Sequence, residues 1–290
     1  MHRIPIHEFG LVGALYLPEK QGPHPLVITL GGFRGGFNES RAEKLSSYGF
    51  ATLSLAYFGC PGLPSSLEEI PLEYCEKAID WVSTRSFIDP NRISLWGISR
   101  GAELSLILGS LIPNRLSAIA ATVPSSAIYG SIQSAAPAWT YRGRPPGPSA
   151  PFPLLRLNSQ IGQTAESALA LTPYFLEGMK DRAAFAASLI PVEKIDCPLL
   201  LVSGEDDQMW PSSIFCEQIV TRLHEKCSSI SSIHLSYPGA GHGIPSSEEI
   251  IELHPIAKIW FAFGGNPRDN AHAKIDSWEK TVQFFRSWMF

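Results

Sequence analysis

Short apolar runs alternate along this chain with stretches in which apolar residues recur every three or four positions. Leu26–Leu30 reads LVITL, a run typical of a strand that is buried on both faces of a sheet. Leu72, Cys75, Ile79 and Val82 are spaced three, four and three residues apart, which places them on one face of an amphipathic helix. Strands and helices that alternate at this spacing predict βαβ units and an α/β fold with a mostly parallel sheet.

The same two patterns extend over most of the chain. Further strands are predicted at Gly10–Leu17, Phe50–Leu55, Arg92–Trp96, Leu116–Val123, Leu199–Ser203 and Ile233–Tyr237. Further helices are predicted at Ala102–Leu111, Ser212–Lys226 and Ala271–Trp288. Turns are predicted at Pro18–Pro25 and, from the Asp-Pro-Asn triplet, at Asp89–Asn91.

One long segment interrupts this alternation. Ser125–Asp196 contains no clear strand, and its first part, through Pro153, is rich in Pro, Gly and Ser. The apolar, helical stretch Ala165–Leu189 follows, and the alternation of strands and helices resumes after it. A long insert in a compact domain is typically a lid over a functional site, so a cap is favoured over a disordered linker between two domains.

Composition narrows the class of protein. The chain has 290 residues, of which 44% are hydrophobic and 17% charged, with a net charge of −4. This composition excludes wholesale disorder and argues against a nucleic-acid partner, and no apolar run reaches the roughly 18 residues of a membrane span.

The N-terminus, Met1–Glu8, lacks the apolar stretch of a secretory signal, so a cytoplasmic location is expected. The five cysteines form no CxxC pair, which predicts reduced thiols and no zinc site.

A serine lies in a pattern that is typical of a nucleophile. Residues 97–101 read Gly-Ile-Ser-Arg-Gly, the pattern GxSxG, between the predicted strand Arg92–Trp96 and the predicted helix that begins at Ala102. A serine on such a strand-to-helix turn is held in a strained conformation, and the two glycines let the strand and helix approach without a Cβ clash. Ser99 is therefore the candidate nucleophile.

A serine nucleophile needs a general base, and the base needs an acid that orients it. Asp206 and Asp207 follow the predicted strand that ends at Ser203, and either could be the acid. His242 follows the strand Ile233–Tyr237 between two glycines, on a loop from which its ring could reach Ser99. Of the eight histidines, three others precede Ser99, and the remaining four lack a position after a strand and beside a glycine.

A glycine-rich loop, Gly31–Gly36, follows the LVITL strand directly. Its backbone N–H groups could stabilise an oxyanion together with the N–H of Arg100, the residue after the candidate nucleophile. By position, Phe33 is the favoured donor in the loop and Gly32 is the runner-up. The loop matches neither GxxxxGK[ST] nor GxGxxG, so no nucleotide cofactor is expected, and no metal is expected either.

These motifs resemble the catalytic domain shared by type I acyl-CoA thioesterases and bile acid-CoA:amino acid N-acyltransferase, which has the α/β-hydrolase fold. The resemblance extends through Tyr48–Gly59, Leu72–Trp81, Leu95–Leu104, Ile190–Ile195, Val202–Trp210, Tyr237–His242 and Gly264–Trp278. In similar α/β-hydrolases, the loop that carries the acid has its aspartate three residues after a glycine and four before a proline. Asp207 has this spacing from Gly204 and Pro211. The resemblance therefore implies a triad of Ser99, Asp207 and His242, with Asp206 as a solvated neighbour or a cap of the next helix.

The resemblance also implies an organisation and an activity. We expect a single α/β-hydrolase domain over residues 1–290, with a mostly parallel central sheet, helices on both faces and a cap at about 125–196. The family's animal members carry an N-terminal β-sandwich domain, and we expect that domain to be absent here. The expected activity is that of a serine hydrolase that cleaves acyl thioesters such as acyl-CoA through an acyl-enzyme. Arg142 and Arg144 are candidates for contact with CoA, and solvated surface arginines are an equal alternative.

Three other functions stay open at this point. The first is a carboxylesterase or lactone hydrolase that acts on small or secondary-metabolite esters. The second is an acyltransferase or cyclase, although the acyltransferase branch of the family carries cysteine where this chain has Ser99. The third is a binding protein without turnover, which the presence of Ser99, Asp207, His242 and the glycine-rich loop disfavours. No oligomeric state is predicted.

Overall fold

The computed structural model describes residues 2–153, 162–226, 228–244, 251–253 and 258–290. Its strands are β1 (His2–Ile6), β2 (Val12–Leu17), β3 (His24–Leu30), β4 (Ala51–Ala56), β5 (Ile70–Pro71), β6 (Ile88–Ile98), β7 (Ala118–Thr122), β8 (Trp139–Thr140), β9 (Leu199–Gly204), β10 (Ser232–Tyr237), β11 (Ile251–Leu253) and β12 (Trp260–Ala262). Its helices are α1 (Glu39–Ser46), α2 (Glu73–Ser83), α3 (Arg100–Leu111), α4 (Thr172–Gly178), α5 (Arg182–Ser188), α6 (Ser212–Glu225) and α7 (Pro267–Met289). Single 3₁₀ turns cover Ala165–Ser167 and Val192–Lys194.

Within the described residues, eight strands form one sheet in the order β1-β2-β4-β3-β6-β7-β9-β10. The pairs β1–β2 and β2–β4 are antiparallel, and every pair from β4 to β10 is parallel. This is the mostly parallel α/β sheet that the alternation of strands and helices predicts. Because the parallel strands share one direction, the loops after β3, β4, β6, β9 and β10 meet at one edge of the sheet.

Successive residues of the central strands pack into two different apolar layers. Val27 and Leu200 lie in a cluster with α1 and α7 on one face of the sheet. Their chain neighbours Leu26 and Leu199 lie in the larger cluster with α2, α3 and α6 on the other face. Since side chains alternate between the faces of a strand, a sheet that is covered on both sides requires strands that are apolar throughout. The continuous apolar runs in the sequence are therefore explained by helices on both faces.

Two elements near the N-terminus do not follow from the periodicity of the sequence. The edge strand β1 is mostly exposed and contains a proline, so it lacks a clear apolar pattern. Helix α1 is only eight residues long, and the side chain of Asn38 caps it by accepting a hydrogen bond from the N–H of Arg41. Asn38 followed by Glu39 is an N-cap signal from which this helix could have been predicted.

The turn predicted at Asp89–Asn91 is wrong, because these residues lie in the extended chain of β6. The carboxylate of Asp89 accepts a hydrogen bond from the N–H of Asn91 at 2.9 Å. The register between β3 and β6 also shifts in this region, between His24 and Leu26. The Asp-Pro-Asn triplet therefore produces a local irregularity within a strand.

The segment between β7 and β9 contains more regular structure than its composition predicts. Its strand β8 pairs with β5 in a small parallel sheet, although no strand was predicted there. The predicted helical stretch Ala165–Leu189 is divided into a 3₁₀ turn, α4 and α5. Helix α4 ends at Gly178, and the side chain of Asp181 caps α5 by accepting a hydrogen bond from the N–H of Ala184. We refer to residues 125–196 as the insertion; its residues 154–161, with Arg156, lie outside the described part.

Among the described residues, no helix is both long enough and apolar enough to cross a bilayer. The described cysteines are free thiols: Cys75, Cys197 and Cys216 are buried and Cys60 is partly exposed. Cys227 and His254 lie outside the described residues.

Candidate active site

Ser99 is the single residue between the end of β6 and the start of α3. Its backbone has φ 54° and ψ −121°, a conformation that is strained for a residue other than glycine. The N–H of Ser99 donates to the carbonyl of Thr122 on β7 at 2.9 Å, which holds the turn against the neighbouring strand. The turn thus places the Ser99 side chain at the edge where the loops after the parallel strands meet.

The two glycines of the GxSxG pattern are required by close backbone contacts. A Cβ atom at Gly97 would lie 2.0 Å from the carbonyl oxygen of Gly101. A Cβ atom at Gly101 would lie 2.3 Å from the carbonyl oxygen of Gly31. No side chain fits at these distances, so the strand, the helix and the glycine-rich loop can meet at Ser99 only because both positions are glycine.

Three residues that are far apart in the sequence form a chain of hydrogen bonds at this edge. Nε2 of His242 lies 2.9 Å from Oγ of Ser99, and Nδ1 of His242 lies 2.8 Å from Oδ2 of Asp207. All three side chains are buried. A carboxylate can only accept hydrogen bonds, so an ionised Asp207 holds the proton of His242 on Nδ1 and leaves Nε2 as an acceptor for the Ser99 hydroxyl.

Asp207 is fixed by its own loop, and Asp206 is not part of the chain of hydrogen bonds. The second oxygen of Asp207, Oδ1, accepts from the N–H groups of Met209 and Trp210 at 3.0 and 3.2 Å. Asp206 is exposed, and its carboxylate accepts from the N–H of Gly265 at 2.8 Å. Helix α6 has no side-chain cap, so the alternative that Asp206 caps this helix is wrong.

The His242 ring is enclosed by aromatic side chains. Its centroid lies 5.7 Å from that of Trp210 and 5.6 Å from that of Phe263, both in edge-to-face contact. The N–H of His242 donates to the carbonyl of Phe263 at 2.8 Å, and the indole N–H of Trp210 donates to the carbonyl of Val123 at 3.0 Å. These contacts orient the ring and bury most of its surface. Neither Trp210 nor Phe263 was singled out in the sequence, because a lone aromatic residue beside a loop carries no distinctive pattern.

The glycine-rich loop passes directly over the candidate nucleophile. A Cβ atom at Gly32 would lie 3.1 Å from the Cβ of Ser99. The N–H of Arg100 is at the first position of α3, where a helix provides no acceptor of its own. The loop and the positive end of the α3 dipole therefore both face the space around Ser99.

A cleft of about 640 Å³ opens at this point, a size typical of small-molecule sites. Ser99, His242 and Phe263 line it together with the glycine-rich loop, whose Gly32 and Phe33 are the predicted donors. The start of α1 forms the far wall.

A buried ion pair connects the turn at Ser99 to the insertion. Arg100 donates to the carboxylate of Glu103 at 2.8 Å, and both side chains are almost fully buried. Arg100 also donates to the carbonyls of Tyr129 and Gly130 at 2.9 and 3.2 Å. Glu103 accepts from the N–H of Tyr129 at 3.1 Å and from the indole N–H of Trp139 at 2.8 Å. Helix α3, which begins directly after Ser99, thus holds the start of the insertion in place.

The sequence contained a signal for this pair. Arg100 and Glu103 are three residues apart in a helix that is otherwise mostly apolar, and charged residues in such a helix are buried only when they are paired. Burial lowers the pKa of Arg100 and raises the pKa of Glu103, and the attraction between the two groups opposes both shifts. The sequence motifs assign a role only to the backbone N–H of Arg100.

The insertion contains a pocket of its own. It has a volume of about 310 Å³, and its lining includes Tyr129, Pro151, Phe175 and Ala184. The Phe175 ring lies 4.9 Å from that of Tyr129 and 5.9 Å from that of Trp210, which in turn contacts His242. This apolar pocket and the cleft at Ser99 therefore lie on either side of one aromatic cluster.

The remaining candidates lie elsewhere. Arg142 and Arg144 are exposed on a turn, and the described lining of the Ser99 cleft includes neither. His224 is exposed on α6, and the ring of His234 is hydrogen-bonded to Oγ of Ser203 at 2.8 Å. In the part of the chain that the structure describes, no group of three or more His, Cys, Asp or Glu side chains could hold a metal ion.

Comparison with known proteins identifies relatives along almost the whole chain. A mitochondrial acyl-coenzyme A thioesterase 2 from Mus musculus is 31% identical over 288 residues, which cover 98% of this chain and 60% of that protein. A peroxisomal succinyl-coenzyme A thioesterase from Mus musculus is 31% identical over 293 residues, 98% of this chain and 65% of that protein. The chain thus spans about 60–65% of the length of these relatives.

Solved structures share the α/β-hydrolase fold of this chain. A putative dienelactone hydrolase from Klebsiella pneumoniae matches with a TM-score of 0.57 and 14% identity, over 95% of this chain and 92% of that one. The alpha/beta hydrolase GrgF from Penicillium sp. matches with a TM-score of 0.59 and 14% identity, over 99% and 98%. The profile described as BAAT / Acyl-CoA thioester hydrolase C terminal matches residues 70–289. The chain therefore belongs to the BAAT / acyl-CoA thioester hydrolase C-terminal family.

Proposed function

We propose that this protein is a serine hydrolase that cleaves acyl thioesters of the acyl-CoA type through a covalent acyl-enzyme. The observation that carries the proposal is the continuous chain of hydrogen bonds from Ser99 through His242 to Asp207 at the wall of a substrate-sized cleft. This arrangement supplies a nucleophile, a general base and a group that orients the base.

The first half of the reaction transfers the acyl group to the protein. Oγ of Ser99 attacks the thioester carbonyl carbon while Nε2 of His242 takes the hydroxyl proton, and the carbonyl oxygen becomes an oxyanion. As the tetrahedral intermediate collapses, the C–S bond breaks and His242 returns its proton to the leaving thiolate. The carboxylate of Asp207 stabilises the imidazolium while it exists.

The second half releases the acid. His242 takes a proton from water, the resulting hydroxide attacks the acyl-Ser99 ester, and Ser99 regains a proton from His242 as the free acid leaves. The oxyanion of each half-reaction lies near the N–H of Arg100 and the glycine-rich loop, so we assign stabilisation to the N–H groups of Arg100 and Phe33, with Gly32 as the alternative loop donor.

A substrate panel tests the class of bond that is cleaved. The purified chain is assayed with acyl-CoAs of increasing length, the matching acyl-pantetheines and p-nitrophenyl esters. We expect kcat/KM to be highest for an acyl-CoA. A preference for oxygen esters or lactones would favour the carboxylesterase alternative, and the absence of both turnover and fluorophosphonate labelling of Ser99 would favour a binding protein.

We further propose that residues 1–290 act as one domain in which the insertion is a cap that contributes to acyl-chain selection. The support is the anchoring of the insertion to the nucleophile helix through Arg100 and Glu103, and the apolar pocket that it encloses beside Trp210. A long acyl chain that passes the aromatic cluster would be buried in this pocket.

Filling the pocket in the insertion should therefore change chain-length selection. Ala184→Trp places a bulky side chain at the exposed mouth of the pocket, and we expect kcat/KM for long acyl chains to fall about tenfold while acetyl-CoA is unaffected, because only long chains lose binding energy. The control is Ala183→Trp, on the same exposed stretch of α5 but outside the pocket lining. An unchanged chain-length profile in Ala184→Trp would show that the pocket does not contribute to acyl-chain selection.

Acyl transfer is a second candidate function, because the family description names BAAT beside acyl-CoA thioester hydrolase and the sequence resembles bile acid-CoA:amino acid N-acyltransferase. Ser99 forms an oxygen ester, which amines attack less readily relative to water than a thioester. We expect the native protein to release free acid even with millimolar glycine or taurine, and Ser99→Cys to hydrolyse more slowly with a larger ratio of amide to acid. Mass spectrometry of the products from one acyl-CoA and a labelled amine measures this ratio. Amide as the main product of the native protein would establish the transferase function instead.

A further inference from the structure

A buried tyrosine beneath the glycine-rich loop has no role in the reaction described above. Tyr57 follows β4 directly, and Gly31 follows the neighbouring strand β3, so both residues lie at the same edge of the sheet. The hydroxyl of Tyr57 donates to the carbonyl of Gly31 at 2.6 Å. The Tyr57 side chain is buried, and burial raises the pKa of its hydroxyl far above the usual range. The group therefore stays protonated and acts as a permanent donor.

The Gly31 carbonyl is the point at which the loop contacts the nucleophile turn. It packs so closely on Gly101 that no Cβ atom would fit there. The next residue, Gly32, lies against the Cβ of Ser99. The peptide between Gly31 and Gly32 is thus held between the Tyr57 hydroxyl and the turn that carries Ser99.

A hydrogen bond to this carbonyl controls the direction of the N–H groups that follow it. The peptide unit is planar and trans, so the N–H of Gly32 points opposite to the carbonyl of Gly31. A fixed Gly31 carbonyl fixes the plane of the Gly31–Gly32 peptide, which includes the Cα of Gly32. The next peptide, which carries the N–H of Phe33, starts from that Cα. Both candidate donors of the loop therefore depend on the position of the Gly31 carbonyl.

The other end of the loop is held by the residue after Tyr57. The N–H of Gly36 donates to the carbonyl of Phe58 at 2.9 Å, and a Cβ at Gly35 would lie 3.0 Å from the Phe58 ring. Both ends of the loop are thus supported by consecutive residues after β4. The hydrogen bond to Phe58 is made by its backbone carbonyl. The hydrogen bond to Gly31 is made by a side-chain hydroxyl, which a substitution can remove.

We propose that Tyr57 is a positioning residue whose hydroxyl, through the Gly31 carbonyl, holds the glycine-rich loop in the geometry that binds the oxyanion. The inference rests on the proposed acyl-enzyme function of Ser99. Tyr57 does not touch the reacting atoms; it acts through the loop. Loss of one complete oxyanion donor costs about 10²–10³ in kcat, so a donor that is only displaced should cost less.

The direct test is Tyr57→Phe, which removes the hydroxyl and keeps the ring that packs on Trp139. We expect kcat, normalised to Ser99 sites titrated with a fluorophosphonate, to fall about 10- to 100-fold with KM changed less than about threefold. The affinity for a trifluoromethyl ketone that adds to Ser99 as an oxyanion should fall by the same factor as kcat. A role in the fold alone would lower the melting temperature and leave both of these values unchanged.

The matched control is Tyr237→Phe. Tyr237 is also a buried tyrosine at the end of a strand, and its hydroxyl donates to the carboxylate of Asp276 at 2.7 Å. This bond joins β10 to α7, away from the glycine-rich loop and from Tyr57. We expect a comparable loss of thermal stability and a kcat within twofold of the native value.

A second substitution covers the case in which Tyr57→Phe does not fold. p-Methylphenylalanine at position 57 fills the volume of the hydroxyl without a hydrogen-bond donor, and we expect kcat and ketone affinity to fall as in the Phe variant. Native kcat in Tyr57→Phe, or native kcat with p-methylphenylalanine when the Phe variant is unfolded, would overturn the inference and leave the hydrolase proposal intact. If the native protein cleaves no thioester, the hydrolase proposal fails, and the ketone affinities of the same variants still test Tyr57.

Discussion

Ser99→Ala should abolish covalent labelling by a fluorophosphonate and lower kcat by a factor of about 10⁴–10⁶ on the best acyl-CoA. The reason is that no other hydroxyl can replace an oxygen held at this strained turn within hydrogen-bond distance of His242. His242→Ala should cause a loss of similar size, because the serine is a weak nucleophile without its base and the two residues act as a unit. The measurement is the steady-state rate of free-thiol release, with labelling followed by intact-protein mass spectrometry.

The controls for this pair are Ser110→Ala and His224→Ala. Ser110 is a buried serine on the same helix, whose hydroxyl donates to the carbonyl of Ile107 at 2.7 Å. His224 is an exposed histidine on α6. Both controls should retain native kcat, and a Ser99→Ala protein that keeps even a tenth of the native rate would show that the reaction uses another nucleophile.

Asp207→Asn should lower kcat by at least about a hundredfold with little loss of stability. The asparagine oxygen can still accept from the N–H groups of Met209 and Trp210, which turns its NH₂ group toward His242. That NH₂ can only donate, so Nδ1 of His242 becomes an acceptor and the ring proton moves to Nε2. A protonated Nε2 cannot accept the hydroxyl proton of Ser99. The pH–rate profile, the melting temperature and kcat are measured on the same preparation.

The matched control is Asp206→Asn, one residue away. The side chain of Asp206 is exposed and accepts from the N–H of Gly265, and asparagine keeps an acceptor at this position. We expect kcat within about threefold of native. A crippled Asp206→Asn beside a near-native Asp207→Asn would reverse the assignment of the acid.

Much of the candidate site could be predicted because its parts carry local signals. The backbone at Ser99 requires glycines on both sides, so the turn has a short motif that is visible without a structure. His242 and the two aspartates each follow a strand that the sequence predicts, and parallel strands bring such loops to one edge. The choice of Asp207 over Asp206 came from resemblance to other acid loops, since the two carboxylates have identical chemistry and adjacent positions.

The parts that were missed depend on contacts between distant segments. The role of the Arg100 side chain requires Glu103, Tyr129 and Trp139 to meet it, and these are up to 39 residues away in the sequence. Tyr57 lies in the chain beside Phe58 as one aromatic residue among many, and only the pairing of β3 with β4 brings its hydroxyl to Gly31. The insertion was predicted as one helical stretch because its apolar residues are continuous, whereas Gly178 and the cap at Asp181 divide it.

For this protein, the sequence by itself determines the α/β class, the strands that are buried on both faces, and the residue types that can perform acyl transfer to a serine. These properties depend on periodicity and on short backbone motifs, which act over a few residues. Only the tertiary structure decides which aspartate faces His242, which hydroxyl supports the glycine-rich loop, and how the insertion is anchored beside Ser99. Each of these depends on a hydrogen bond between segments that are 26 to 143 residues apart, and its geometry exists only when the sheet is assembled.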